Sequence, residues 1–215
     1  TAVKNGTEVK LNQEVKSIRK VNDYFEVETE TDTFKTKLIV NAAGVECDKV
    51  CGMVHEPDYE IVPNKGEYYL LDKSQGELVH HVIFQCPNEK GKGILVSPTV
   101  HGNLIVGPNS NPTVDGDYST TLQGLNEVKQ ASLKSVPSIN YRENIRTFAG
   151  LRARRKDHGD FIIGEDPKMD GFYQIAAMQS PGLSSAYAIA LDITKMMQGK
   201  GFFKVAKENR IKTRK

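Results

Sequence analysis

Polar and apolar residues alternate through Tyr24-Phe25-Glu26-Val27-Glu28-Thr29, the two-residue period of a strand with one buried face. Residues 8–21 read as an extended strand before it, Asn22-Asp23 as the turn between, and Thr31-Asp32-Thr33 as the turn into residues 34–37. The apolar run Leu38-Ile39-Val40 ends at Asn41 and predicts a buried strand. Residues 46–54 are expected as a short helix. Strands follow at 65–71, 79–84, 94–98 and 103–106, punctuated by Pro87, Gly91, Gly93, Pro98 and Gly102. With no helix between them, these strands predict an antiparallel sheet rather than βαβ repeats. Residues 120–133 carry Leu122, Leu125 and Val128 on one side of a helix. Strands return at 141–151, 161–164 and 172–177. A last helix over 182–197 carries the apolar set Leu183, Ala186, Tyr187, Ala190, Ile193 and Met197. Residues 204–215 form a basic, polar tail.

Composition narrows the class. Of 215 residues, 38% are hydrophobic and 26% charged, the balance of a folded chain that can form one large domain or two small ones. A net charge of +2 is too small to argue for nucleic acid, and the basic run at 152–156 has no interleaved aromatics. No apolar run approaches the roughly 20 residues that span a bilayer. The three cysteines, Cys47, Cys51 and Cys86, show neither a disulfide framework nor zinc spacing. They are read as thiols, with no metal expected and a cytoplasmic location by default.

Two motifs carry chemistry. Ser180-Pro181-Gly182-Leu183-Ser184-Ser185 breaks the chain just before the last helix, leaving backbone N–H groups at a partially positive terminus suited to phosphate or an electron-rich ring edge. Asn41-Ala42-Ala43-Gly44 ends a strand in small residues, which let backbone approach a bulky ligand. Either motif alone also fits a purely structural role.

Taken with Asn12-Gln13-Glu14-Val15, Lys65-Gly66-Glu67-Tyr68-Tyr69-Leu70, Val106-Gly107-Pro108-Asn109 and Ala149-Gly150-Leu151-Arg152, they run through nearly the whole chain. In this order the motifs resemble the FAD-dependent oxidoreductases of the D-amino-acid oxidase superfamily, most of all the group acting on glycerol-3-phosphate or L-2-hydroxyglutarate. The resemblance implies a mixed α+β or α/β fold in two domains. Residues 1–58 and 158–215 would belong to a discontinuous FAD-binding domain, and 59–157 to a substrate-binding domain with a large antiparallel or mixed sheet. Family members open on a strand, a Gly-x-Gly-x-x-Gly turn and a helix that hold the FAD pyrophosphate. No such hexapeptide occurs here. The chain is therefore expected to be a fragment, partnered by a missing N-terminal FAD-domain segment and inactive alone.

The resemblance also places site residues. Gly182, Leu183 and Ser184 would offer N–H groups to the flavin N1/O2 edge. Val15 would meet adenine, and Ala43 and Gly44 the pyrophosphate and ribose. Arg152 would hold the substrate anion, since a guanidinium presents paired donors to carboxylate or phosphate. Tyr68 would lie beside the substrate. A base is less marked among the five histidines; His55 and His158 are the candidates. The expected function is hydride transfer from a small anionic secondary alcohol to FAD, glycerol-3-phosphate first and L-2-hydroxyglutarate or an amine second. A non-catalytic module that has lost FAD is the alternative class. No nucleic-acid partner is expected, and peripheral membrane association of the full enzyme remains open.

Overall fold

In a computed structural model the described residues are 1–86 and 93–202. The turn residues Pro87 and Gly91 and the basic tail lie outside them. The chain divides into two compact units, Thr1–Glu60 with Gly159–Lys215, and Ile61–His158.

The first unit opens on an antiparallel meander, β1 (Val15–Val21), β2 (Tyr24–Thr29) and β3 (Thr33–Thr36). Residues 8–14 do not extend β1. Val9 and Leu11 are exposed and Asn12 takes a positive φ of 54°, which interrupts an extended run before any partner strand is reached. β4 (Ile39–Asn41) runs parallel to β12 (Phe172–Ala176), which pairs antiparallel with β11 (Ile162–Glu165). A short helix α1 (Cys47–Gly52) follows β4. Ile18, Phe25, Cys51 and Phe172 form one core, with Val15, Val27, Ile39 and Tyr59 packed on it.

The last helix, α3 (Gly182–Gly199), buries Gly182, Ile189, Ile193 and Met197, the last three at four-residue steps against Tyr173. The expected apolar set is thereby split. Ile193 and Met197 turn inward, whereas Leu183 is 94% exposed and Tyr187 71%. Both faces of the helix are apolar, so spacing alone does not choose the inner one.

In the second unit β5 (Ile61–Leu71) is central. The sheet order is β10 (Asn144–Arg155), β5, β8 (Leu104–Gly107), β7 (Leu95–Pro98) and β6 (Ile83–Phe84), with β9 (Asn111–Pro112) also on β5. Every pairing is antiparallel. The sheet extends past the expected 65–71 because β10 pairs β5 out to Ile61 opposite Arg155. Only Ile83–Phe84 of the expected 79–84 is strand; a 3-10 turn at Lys73–Leu78, capped by Asp72, precedes it. Helix α2 (Leu122–Ser135) packs Val128 with Leu71, Val96, Leu104 and Val106.

Alternation along β5 assigns two jobs. Lys65, Glu67, Tyr69 and Leu71 share one side, and there Glu67 is 1% exposed. Its carboxylate accepts the Thr121 N–H (2.5 Å) and hydroxyl (3.1 Å) and the Asn109 amide (3.0 Å). The charge thus sits at the N-terminus of α2, where unsatisfied N–H groups and the helix dipole favour an anion. Tyr69 meets Tyr141 edge-on at 4.8 Å. Lys65 pairs with Asp117 at 2.7 Å and, with Ser119, holds that carboxyl far below the ordinary carboxylate range. The other side of β5 carries Asn64, Gly66 and Tyr68.

Candidate functional site

The register of β5 and β10 sets Arg152 opposite Asn64, Gly150 opposite Gly66 and Phe148 opposite Tyr68. Cross-strand partners share a face, so Arg152 and Tyr68 lie on one side of the sheet. Arg152 Nη1 donates to Asn64 Oδ1 at 2.9 Å and Nη2 to the Asn109 carbonyl at 3.1 Å; Ser110 Oγ donates to the same Asn64 oxygen at 2.9 Å. Among the described residues these partners are neutral, and no carboxylate pairs with Arg152. Burial pulls its pKa below the usual arginine value, opposed by Tyr68. A half-buried guanidinium held in place by neutral groups keeps its charge uncompensated, and the arrangement suits an incoming anion.

Gly66 is part of this design. A Cβ there would lie 2.6 Å from Arg152 Nη2 and 2.8 Å from Pro108 Cβ. Only a bare backbone lets the guanidinium lie across the strand. Gly66→Ala is expected to displace Arg152 and raise KM for an anionic substrate about tenfold with kcat changed less, measured by steady-state kinetics on the complete protein. Unchanged KM would show that Arg152 does not hold the anion.

Tyr68 stacks on Phe148, ring centroids 4.9 Å apart and planes at 8°. Burial raises its phenol, which therefore stays protonated near neutral pH. The basic run disperses along β10. Arg154 contacts the His158 ring, and Arg155 pairs with Asp157 at 2.5 Å.

The remaining expected residues lie in the first unit. Val15 opens β1 with its side chain against the Ile18–Phe25 core. Asn41 straps the loop after β4: its Nδ2 donates to the Cys47 carbonyl (2.8 Å) and Gln174 Oε1 (2.9 Å), and its Oδ1 accepts from Ala43 N–H (3.3 Å). Gly44 then takes a φ of +64°, a left-handed value that glycine adopts at no cost. At the start of α3 the Gly182 N–H is already bonded to the Gln179 carbonyl at 2.6 Å. The first i→i−4 bond runs from Ser185 to Pro181, and Pro181 supplies no side-chain cap. Leu183 and Ser184 thus precede the helical ladder, and of the three expected donors they are the two left to face a ligand.

His55, expected as a candidate base, lies after α1 in the first unit. Its Nδ1 is 2.9 Å from the Glu56 carbonyl and its Nε2 is 2.8 Å from Asp166 Oδ1. Both ring nitrogens have partners within the unit. Sequence reasoning missed Asp166 and Gln174, which complete this network, and Asn64, Ser110 and Phe148 around Arg152. Strand parity is the signal for Asn64 and Phe148; Asp166 carries none, being 111 positions from His55.

The model of the FAD dependent oxidoreductase family matches residues 1–196. Over 198 residues the chain is 45% identical to a glycerol 3-phosphate dehydrogenase of Caloramator mitchellensis, covering 92% of this chain and 41% of that protein. A solved L-α-glycerophosphate oxidase of Mycoplasma pneumoniae with FAD bound superposes with a TM-score of 0.82 at 31% identity, covering 92% of this chain and 52% of that one. An L-2-hydroxyglutarate dehydrogenase of Indibacter alkaliphilus is 31% identical over 109 residues, 49% of this chain and 27% of that protein. The chain belongs to the family of FAD-dependent oxidoreductases, and it spans about half or less of the length of these relatives.

Proposed function

We propose that the complete protein oxidises a small anionic secondary alcohol, glycerol-3-phosphate first, with FAD as cofactor. The observation that carries this reading is Arg152, a half-buried guanidinium whose protein partners are neutral and which shares its sheet face with Tyr68. The 45% identity to a glycerol 3-phosphate dehydrogenase supports the substrate. L-2-hydroxyglutarate is the second reading, on the shorter match to its dehydrogenase.

In this reading the second unit binds substrate and the first holds FAD. Arg152 pins the phosphate or carboxylate, and Asn64 and Ser110 keep the guanidinium from swinging out. The protonated Tyr68 phenol donates a hydrogen bond to substrate oxygen. Uncapped N–H groups of Leu183 and Ser184 suit the electron-rich N1/O2 edge of a flavin. The small Ala43 and left-handed Gly44 suit close approach of a pyrophosphate, and the Val15 backbone an adenine. Bound flavin supplies the hydride acceptor.

The exposed stripe of α3, Leu183 and Tyr187, is the surface this reading leaves for a strand, Gly-rich turn and helix that complete a nucleotide-binding fold. The reading places turnover in the complete protein rather than in these 215 residues alone. It includes a cytoplasmic location, no nucleic-acid partner, and peripheral membrane contact only for the whole enzyme. No helix among the described residues is long and apolar enough to cross a membrane.

Flavin retention tests the cofactor assignment. The chain is mixed with FAD and desalted, alone and after co-expression with an N-terminal βαβ unit from a relative. Flavin retained with the added unit is the expected result. No flavin with either the added unit or the complete protein would sink the assignment.

A further inference from the structure

We propose that Cys51, His55 and Asp166 bind a divalent metal ion of the zinc class. The inference is independent of the flavin reading. The three residues bring one ligand atom each to within 4.8 Å of one another. Cys51 and His55 stand one helical turn apart, their backbones joined by the His55 N–H to Cys51 carbonyl bond at 3.0 Å. Asp166 arrives from the turn after β11.

The hydrogen bonding orients the set for coordination. The Glu56 carbonyl can only accept, so His55 Nδ1 carries a hydrogen and, in the neutral ring, the lone pair sits on Nε2. That lone pair faces Asp166 Oδ1 at 2.8 Å and Cys51 Sγ at 4.0 Å. A proton on Nε2 would answer the histidine and the aspartate alone, whereas a metal ion would answer all three donors, sulfur included. A backbone carbonyl on the second ring nitrogen is the usual outer partner of a metal-bound histidine.

Gln174 supplies the outer partner for the other two ligands. Its Nε2 donates to Cys51 Sγ at 3.0 Å and to Asp166 Oδ2 at 3.0 Å. The amide cannot flip, because its Oε1 accepts from Asn41 Nδ2 (2.9 Å) and Tyr59 hydroxyl (3.2 Å). Donation to sulfur and carboxylate stabilises the deprotonated forms that a metal requires. Thiolate and carboxylate together balance a 2+ ion in a site where Cys51 and Asp166 are nearly buried. Tetrahedral zinc ligands lie about 3.3–3.6 Å apart, so the set closes with shifts of about 1 Å. Sulfur with imidazole selects zinc-like ions over magnesium or calcium. The ion would tie the α1 segment to the β11–β12 turn, two stretches more than a hundred residues apart.

Cobalt(II) is the probe. Titrated into the chain without added thiols, it is expected to give a sulfur-to-cobalt charge-transfer band that saturates at one equivalent and is bleached by zinc. Cys51→Ser is expected to abolish the band, while Cys86→Ser keeps it. His55→Ala and Asp166→Asn should weaken cobalt binding at least about tenfold. A wild-type spectrum without a thiolate band overturns the proposal whatever the variants do, and so does a band that survives in folded Cys51→Ser. His55 and Asp166 would then be a proton-bridged ion pair.

Discussion

On the proposed function, Arg152→Ala is expected to lower kcat/KM of the complete protein for an anionic substrate by about 10²–10³-fold and to leave flavin retention intact. The expectation follows from the partners of the guanidinium. Asn64 and the Asn109 carbonyl position Arg152 but do not neutralise it, so its charge is reserved for what binds. Removing one side of a desolvated, hydrogen-bonded charge pair costs about 3–4 kcal/mol, which is the stated range at 1.36 kcal/mol per tenfold. Arg152→Lys keeps the charge and loses the fork, and should recover only part of the activity. Guanidinium ion added to the Ala variant should rescue it in part. A kcat/KM within about threefold of the parent would remove Arg152 from the site.

Gly124→Ala destabilises the protein by about 2–4 kcal/mol, against the usual sign of such a change. Glycine to alanine inside a helix ordinarily stabilises by about 0.5–1 kcal/mol. Here the new Cβ would collide with the Glu67 carboxylate. That carboxylate would have to move off the Thr121 N–H and give up its bond from the Asn109 amide in the interior. Gly52→Ala is the contrast: it also lies in a helix, with nothing within 4 Å of the added atom, and should be neutral or slightly stabilising. Urea unfolding followed in both variants decides the matter. A Gly124→Ala midpoint at or above the parent's would mean that Glu67 does not cap α2 as described.

The sheet of the second unit was legible because its strands lie between Pro and Gly breaks with no helical stretch among them. Adjacent strand residues point to opposite faces, and the fold puts Tyr68 with Arg152 and Tyr69 in the core beside α2. Motif resemblance singled out Arg152 and the start of α3, whereas their surroundings were hidden. Asn64 lies 88 positions from Arg152, and nothing local says that its oxygen will face a guanidinium. The partner of His55, Asp166, was hidden because it comes from a distant turn. Residues 8–14 have a strand-like pattern but pair with no strand among the described residues. The inner face of α3 was ambiguous because leucine and tyrosine occupy the side that stays exposed.

The pairing of Ile61 with Arg155 has a consequence for how the chain acquires its shape. The second unit, residues 61–158, is continuous and its first and last strands are neighbours, so it can fold on contacts of its own. The first unit cannot, since β4 must find β12 and Asn41 must find Gln174, 133 positions later. Once the inserted unit has folded, its two ends are one strand spacing apart, and the gap to be closed shrinks to the few tens of residues outside it. That lowers the entropy cost of joining β4 to β12 by about 1 kcal/mol. The insertion therefore acts as a hairpin for the chain around it, and the order of assembly is from the inside outward.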